Sequence, residues 1–218
     1  MAGPSDLITI TGAGESLAEQ AYRILERMIV TLKLAPGTVA TEGALIELTG
    51  MGRTPVREAI QKLSWEGLME IRPRSGVVIA PLDPKDITKV LDTREGVECV
   101  LARDAAQNAV PQHHERLQMA SQAMKQAVDD ENVEAFMEAD KNFDTVLAIA
   151  SANPFAARLA APLQTHSRRF WFFLRNPDDL HHSALAHTDL IQAIVSRNRT
   201  AAEKAAAHLI QEMRHLVP

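Results

Sequence analysis

Apolar positions in the first third of the chain recur at helical spacing and then give way to short β-prone runs. Leu17, Ala21, Ile24, Leu25, Met28, Ile29 and Leu32 fall every three or four residues, which predicts a helix over about 16–33. Ala35-Pro-Gly37 ends it. Residues 42–49 predict a short second helix with Thr41 as its cap, and Gly50-Met-Gly52 a turn. A third helix is predicted over 53–67, stopping at Gly67. Leu68-Met-Glu-Ile71 and Val77-Val-Ile-Ala80 flank the polar stretch Arg72-Pro-Arg-Ser-Gly76 and read as a hairpin. Beyond Pro81-Leu-Asp-Pro84 helical periodicity dominates. It breaks near Val110-Pro111, Asp129-Asp130, Asn153-Pro154, Asn176-Pro-Asp-Asp179 and Arg197-Asn-Arg-Thr200. That predicts six helices, at 84–109, 112–128, 131–151, 154–175, 179–197 and 200–216, joined as an antiparallel bundle.

The stretch Met51-Gly-Arg-Thr-Pro-Val-Arg-Glu-Ala59 opens the third helix. Pro55 is tolerated in a first turn, where its missing N–H has no intrahelical partner. Arg53 and Arg57, four apart, share one face, while Val56, Ala59 and Leu63 lie on the other. An apolar back with two arginines at the exposed N-terminal end suits entry into a major groove; the alternative is a solvated surface helix. With the short helix before it and the hairpin after it, the pattern is that of a winged helix-turn-helix. The predicted fold class is therefore mainly α, a winged helix-turn-helix followed by about six bundle helices. The expected organisation is an arm at 1–15, the winged unit at 16–80, a linker at 81–84 and an all-α unit at 85–218.

Composition agrees with helices: alanine is abundant and aromatics make up only 4% of the 218 residues. A single cysteine, Cys99, excludes an internal disulfide framework and fits a reducing cytoplasm. No apolar run is long enough for a membrane span, and the N-terminus lacks the pattern of a secretory signal. The net charge of −5 argues against nucleic acid until its distribution is considered. Residues 53–74 carry five basic and three acidic side chains, whereas residues 83–218 carry 15 basic and 19 acidic. DNA binding needs a local basic surface, not a basic protein.

All eight histidines lie at or beyond His113. On the third bundle helix Asp140 and Asp144 stand in one apolar stripe with Val133, Phe136, Phe143 and Leu147. Carboxylates there are costly unless paired or bound to metal. His187 shares a face with Leu180, Ala184, Ile191 and Ile194, and His208 lies one turn after Ala205. Converging, these four residues would make a mixed O/N site for Zn²⁺, Ni²⁺ or Mn²⁺. The alternative is pairing of both aspartates with Arg168, Arg169 or Arg94. Arg94, on a face with Val90, Val97 and Leu101, is either an inward anion site or the partner of Glu98 one turn on.

The stretch from about Leu17 to Ala80 resembles the GntR family of bacterial transcription regulators. The resemblance rests on Leu34-Ala-Pro-Gly37, Gly52-Arg-Thr-Pro-Val-Arg-Glu-Ala59, Leu63 with Glu66-Gly-Leu68, and Arg74-Ser-Gly76-Val77. It implies DNA contacts from Arg53, Thr54, Arg57, Arg74 and Gly76, with Gly76 at a wing tip near the minor groove. Gly52 and Gly43 depart from the Ser or Thr and the basic residue usual there. The remainder resembles the FCD effector-binding domain of FadR-type members, through Ala139-Asp-Lys-Asn-Phe-Asp144, Ser151-Ala-Asn-Pro154, His187 with Ile191-Gln-Ala-Ile194, and Ala201 through His208. Six helices, not seven, suggest the VanR-like branch. This resemblance implies a divalent metal on Asp140, Asp144, His187 and His208, with Asp144 standing where His is usual. It further implies a carboxylate effector held by Arg94. The expectation is a dimeric regulator, a repressor in the commoner family pattern, that binds palindromic double-stranded operator DNA under control of a small organic acid. A metal-dependent enzyme with a DNA-binding appendage and a nucleoid protein are the alternatives. The enzyme lacks an evident nucleophile–base pair, and the nucleoid protein fits poorly with an acidic chain.

Overall fold

A computed structural model describes residues 15–217; the arm expected at 1–15 lies almost wholly outside them. The chain divides into two compact units, 1–83 and 84–218.

In the first unit, α1 (Leu17–Val30), α2 (Glu42–Thr49) and α3 (Arg53–Trp65) surround one core with β1 (Val39–Ala40), β2 (Met69–Arg72) and β3 (Gly76–Ile79). Each helix start has a local cause. Ser16 and Glu19 form a reciprocal capping box on α1, and the Thr41 hydroxyl accepts from the Ala44 N–H at 3.1 Å on α2. Gly50, at φ 66°, ends α2 in the left-handed region. Leu25, Ile29, Leu45, Val56, Leu63 and Ile79 are fully buried and close the core. A tie outside it joins α1 to the end of α3: the Tyr22 hydroxyl donates to Glu66 at 2.7 Å, and Lys62 sits 3.7 Å from the Tyr22 ring centre.

The hairpin lies where the periodicity placed it, but it belongs to a three-stranded sheet of order β1-β3-β2. Strand β1 pairs Val39 with Val78 and Ala40 with Val77, antiparallel. Two residues after a Pro-Gly turn give no alternation to read, so β1 was invisible to periodicity. Gly76 is not at the wing tip, in contrast to the expectation. It opens β3 at φ 100°, and a Cβ there would stand 2.6 Å from the Ala40 carbonyl oxygen. The tip is residues 73–75, with Arg74 itself at φ 67°. Gly76→Ala is therefore expected to destabilise this unit by about 1–3 kcal/mol in urea melts, through strain at positive φ and backbone collision. Wild-type stability would remove the packing account.

The second unit holds α4 (Ile87–Asn108), α5 (Pro111–Asp129), α6 (Val133–Ser151), α7 (Pro154–Leu174), α8 (Asp179–Val195) and α9 (Arg199–Glu212). All six predicted helices are present. Helix α4 is central and packs on α6, α7, α8 and α9, while α5 lies against α6 and α8. Three connections repeat one device. Glu131, Ala152 and Arg197 adopt φ of 49°, 53° and 56°, which ends the preceding helix. Asn132, Asn153 and Asn198 follow, and each side chain accepts from the N–H three residues on. A left-handed residue plus an Asn cap turns the chain in the fewest residues, which an antiparallel bundle requires.

Candidate functional site

In the winged unit the apolar back of α3, Val56, Ala59, Ile60 and Leu63, is buried, and Arg53, Thr54 and Arg57 are exposed. Gly52 caps the helix without a side-chain hydrogen bond, so the first-turn N–H groups remain open to an anion. Periodicity gave no sign of Glu42. Its carboxylate bridges both arginines, 3.3 Å from Arg53 Nε and 2.7 Å from Arg57 Nε. It sits eleven residues before Arg53 on another helix, so only the helix-turn-helix packing brings it there. Because it engages the Nε edges, the two guanidinium ends point onward with their Nη groups available.

In the bundle, Asp140 and Asp144 lie one turn apart on α6 and are 6% and 4% exposed. They face Arg168 of α7. Its Nη1 is 3.2 Å from Asp140 Oδ2 and 2.5 Å from Asp144 Oδ2, and its Nη2 donates to Thr165 Oγ1 at 3.2 Å. On α8, His187 Nδ1 lies 2.7 Å from the Ser183 carbonyl, which it can only meet as a donor. Its Nε2 lies 2.9 Å from Asp140 Oδ1, an ion pair when both ring nitrogens carry protons, but it is left without a formed hydrogen bond. The edges of Phe136 and Phe143 hold the ring, with centroids 6.1 and 5.1 Å away.

Of the four expected ligands, the structure brings Asp140, Asp144 and His187 together and places His208 apart from them. Asp140 and Asp144 converge on the Arg168 guanidinium, and His187 stands beside Asp140. His208 is 56% exposed at its side chain and 3.9 Å from Glu212. The buried stripe of α9 is Ala202, Ala206, Leu209 and Ile210, so His208 is one residue, about 100°, out of phase, and Leu209 faces inward instead. Among the described residues no group of three His, Cys, Asp or Glu side chains is arranged to hold a metal ion. The stripe was legible in the sequence; counting forward one turn from Ala205 missed it.

Arg94 of α4 is inward, as one of its two expected readings had it, and it also pairs with Glu98, as the other did. Its Nε is 3.0 Å from Glu98 Oε1, and its Nη1 donates to Ser167 Oγ at 2.8 Å. Gln164 Nε2 donates to the same Glu98 oxygen at 2.8 Å. Among the described residues no protein group takes up Arg94 Nη2. Arg94, Arg168, Asp140, His187 and Ser183 give the polar lining of a small cleft, about 340 Å³ when the open solvent at its mouth is counted, and Phe136, Trp171, Leu209 and Met213 the apolar lining. Phe136 and Trp171 stack at 5.5 Å between centroids.

Burial shapes the protonation of this cluster. Burial alone would raise the Asp140 carboxyl, but the hydrogen bond and charge of His187 with the charge of Arg168 hold it well below the carboxylate range. Burial and the neighbouring Asp140 charge push Asp144 up to about 7, against the pull of Arg168. Burial would lower His187, but Asp140 raises it overall. A carboxyl raised on folding stabilises the folded state less as pH climbs from its unfolded to its folded value. A histidine raised on folding likewise loses its contribution as pH rises through its folded value. Both signs agree, so the melting temperature of the bundle is expected to fall as pH rises from about 4 to about 7, the interval between the ordinary carboxyl value and that of Asp144, and to go on falling above pH 6.5 as His187 loses its proton. Asp144→Asn should flatten that slope, and an unchanged slope would count against the assignment.

Comparison with known proteins follows the same division. The FCD domain profile matches residues 89–212, and that of the bacterial regulatory proteins of the gntR family matches residues 17–79. The chain belongs to the GntR family, with an FCD domain. It is 28% identical over 199 residues to the HTH-type transcriptional repressor RspR of Escherichia coli, covering 89% of this chain and 86% of that one. It is 29% identical over 221 residues to the HTH-type transcriptional repressor NanR of Klebsiella aerogenes, covering 88% and 82%. The fold superposes on E. coli McbR/YncC with a TM-score of 0.81 over 94% of this chain and 98% of that one, at 20% identity. This GntR-family protein is a transcriptional regulator and not an enzyme, so the reading of the bundle as a catalytic metal centre is set aside. No helix among the described residues is long and apolar enough to cross a membrane.

Proposed function

We propose that this GntR-family protein is a cytoplasmic, homodimeric repressor that releases operator DNA when a small carboxylate binds in the FCD cavity. Arg53, Thr54 and Arg57 of α3 and Arg74 of the wing are the DNA contacts in this reading, and its six-helix bundle accords with the VanR-like branch. The observation that carries the effector class is Arg94. It is 4% exposed, its Nε and Nη1 are locked by Glu98 and Ser167, and its Nη2 remains uncommitted in a half-apolar cavity. A pre-oriented guanidinium edge suits a carboxylate, and Phe136 and Trp171 suit an apolar or unsaturated body beside it. The effector thus meets a guanidinium and not a metal ion. Release requires that the ligand bind the DNA-free arrangement better than the DNA-bound one.

The test is a thermal-shift and calorimetric screen of small mono- and dicarboxylic acids against the full chain, repeated on Arg94→Gln. A hit should stabilise the wild type, weaken operator binding in gel shifts, and lose at least about tenfold in affinity with Arg94→Gln, the scale of one charge-assisted hydrogen bond. A carboxylate that binds both forms equally removes Arg94 from the role.

A further inference from the structure

Asp140, Asp144 and His187 make two oxygen donors and one nitrogen donor on facing helices, a set competent for Mn²⁺ or Zn²⁺ with open positions left for water. The arrangement does not fit an ion in the chain as it stands. Both Oδ2 atoms are directed to Arg168 Nη1, at 3.2 and 2.5 Å, where a shared cation would sit. The imidazole Nε2 stands 2.9 Å from Asp140 Oδ1 in ion-pair contact without a formed hydrogen bond, and that pairing calls for a protonated ring, whereas a metal needs this nitrogen deprotonated. The inward position on α9 is Leu209, which has no donor. A divalent ion would have to displace a buried guanidinium that is itself 8% exposed and hydrogen-bonded to Thr165. Two cations cannot share the same carboxylate oxygens in so dry a site.

We propose that the Arg168 guanidinium is a fixed cation around which Asp140, Asp144 and His187 are organised, so that this bundle holds no divalent metal, and that removing the guanidinium opens a metal site. It does the mechanical work of a metal ion by tying α6 to α7 beside α8, but it cannot be removed by a chelator. The inference is independent of which effector the cavity takes, because it concerns the apo bundle.

The experiment uses the full chain, equilibrated with Zn²⁺ or Mn²⁺, desalted, and analysed for metal by mass spectrometry, with thermal melts in parallel. The wild type should retain far less than one ion per chain, and its melting temperature should be unmoved by either ion or by EDTA. Arg168→Ala should retain about one ion per chain and show a melting temperature raised by the ion and lowered again by EDTA. Asp140→Asn in that background should abolish the uptake. A wild type that keeps a stoichiometric ion overturns the proposal, as does a folded Arg168→Ala chain that takes up none. If Arg168→Ala does not fold alone, refolding from urea with and without Mn²⁺ gives the answer. Recovery only with the ion supports the proposal, and equal failure in both conditions overturns it.

Discussion

Arg168→Met, measured in metal-free buffer, is expected to lower the stability of the helical unit by about 3–5 kcal/mol, the range for breaking a buried ion pair from one side. The reason is what remains. Asp140 and Asp144 are 6% and 4% exposed, and Asp144 Oδ1 already lacks a hydrogen-bond partner. Without Arg168, Asp144 also loses the contact made by Oδ2 and stays beside the Asp140 charge, with only Arg94 and His187 left to offset it. The methionine replaces the stem of the arginine, so lost packing is a small part of the effect. Urea unfolding followed by circular dichroism reads it directly. Arg168→Met with Asp144→Asn should recover much of the loss, because the second change removes the carboxyl that burial and Asp140 already push up to about 7 and that, without Arg168, must take up a proton beside Asp140. If Arg168→Met alone is within about 1 kcal/mol of wild type, the guanidinium is not what holds the carboxylates in place.

Arg53→Ala with Arg57→Ala is expected to weaken specific operator binding by about 1–3 kcal/mol per lost base contact, a combined loss of roughly thirtyfold to twenty-thousandfold before any coupling between them. The fold of the winged unit should be unaffected, since both side chains are exposed, at 72% and 60%, and the helix is held by its opposite face. The pair should not be additive. Both guanidinium groups are held by Glu42, so removing one leaves the other with the whole carboxylate and a stronger tether. Glu42→Gln gives the complementary result: it removes a negative charge beside the phosphates and frees both arginines. Affinity for random DNA should therefore rise and discrimination between operator and random sequence should fall. Gel shifts across salt concentrations separate the two effects, because a phosphate contact changes the salt slope and a base contact changes the specificity ratio. If neither arginine matters, α3 is not the reading helix.

Much of this protein could be read from residue order, and the physical reason is locality. Helix periodicity, the Thr41 cap, the Gly50 stop and the Asn-Pro and Asp-Asp breaks act within one or two turns, so the nine α-helices among the described residues were predicted to within a few residues. The groups of the reading face, Arg53, Thr54 and Arg57, were legible for the same reason, since i to i+4 spacing alone puts both arginines on one side. Strand β1 was not, because two residues carry no period and their pairing to β3 spans nearly forty positions. Glu42 was missed because its two partners lie on the next helix. The bundle site shows the limit most clearly. The sequence determined that Asp140 and Asp144 would share a stripe and that something positive must meet them there. It left a metal ion and an arginine, Arg168, Arg169 or Arg94, as alternatives, because the counter-charge lies 28 and 24 residues away and only the packing of α7 on α6 brings it within 3.2 and 2.5 Å. Helix phase decided the rest: one residue of rotation on α9 sends His208 to solvent and Leu209 to the cavity, and the buried charge is balanced from within the chain.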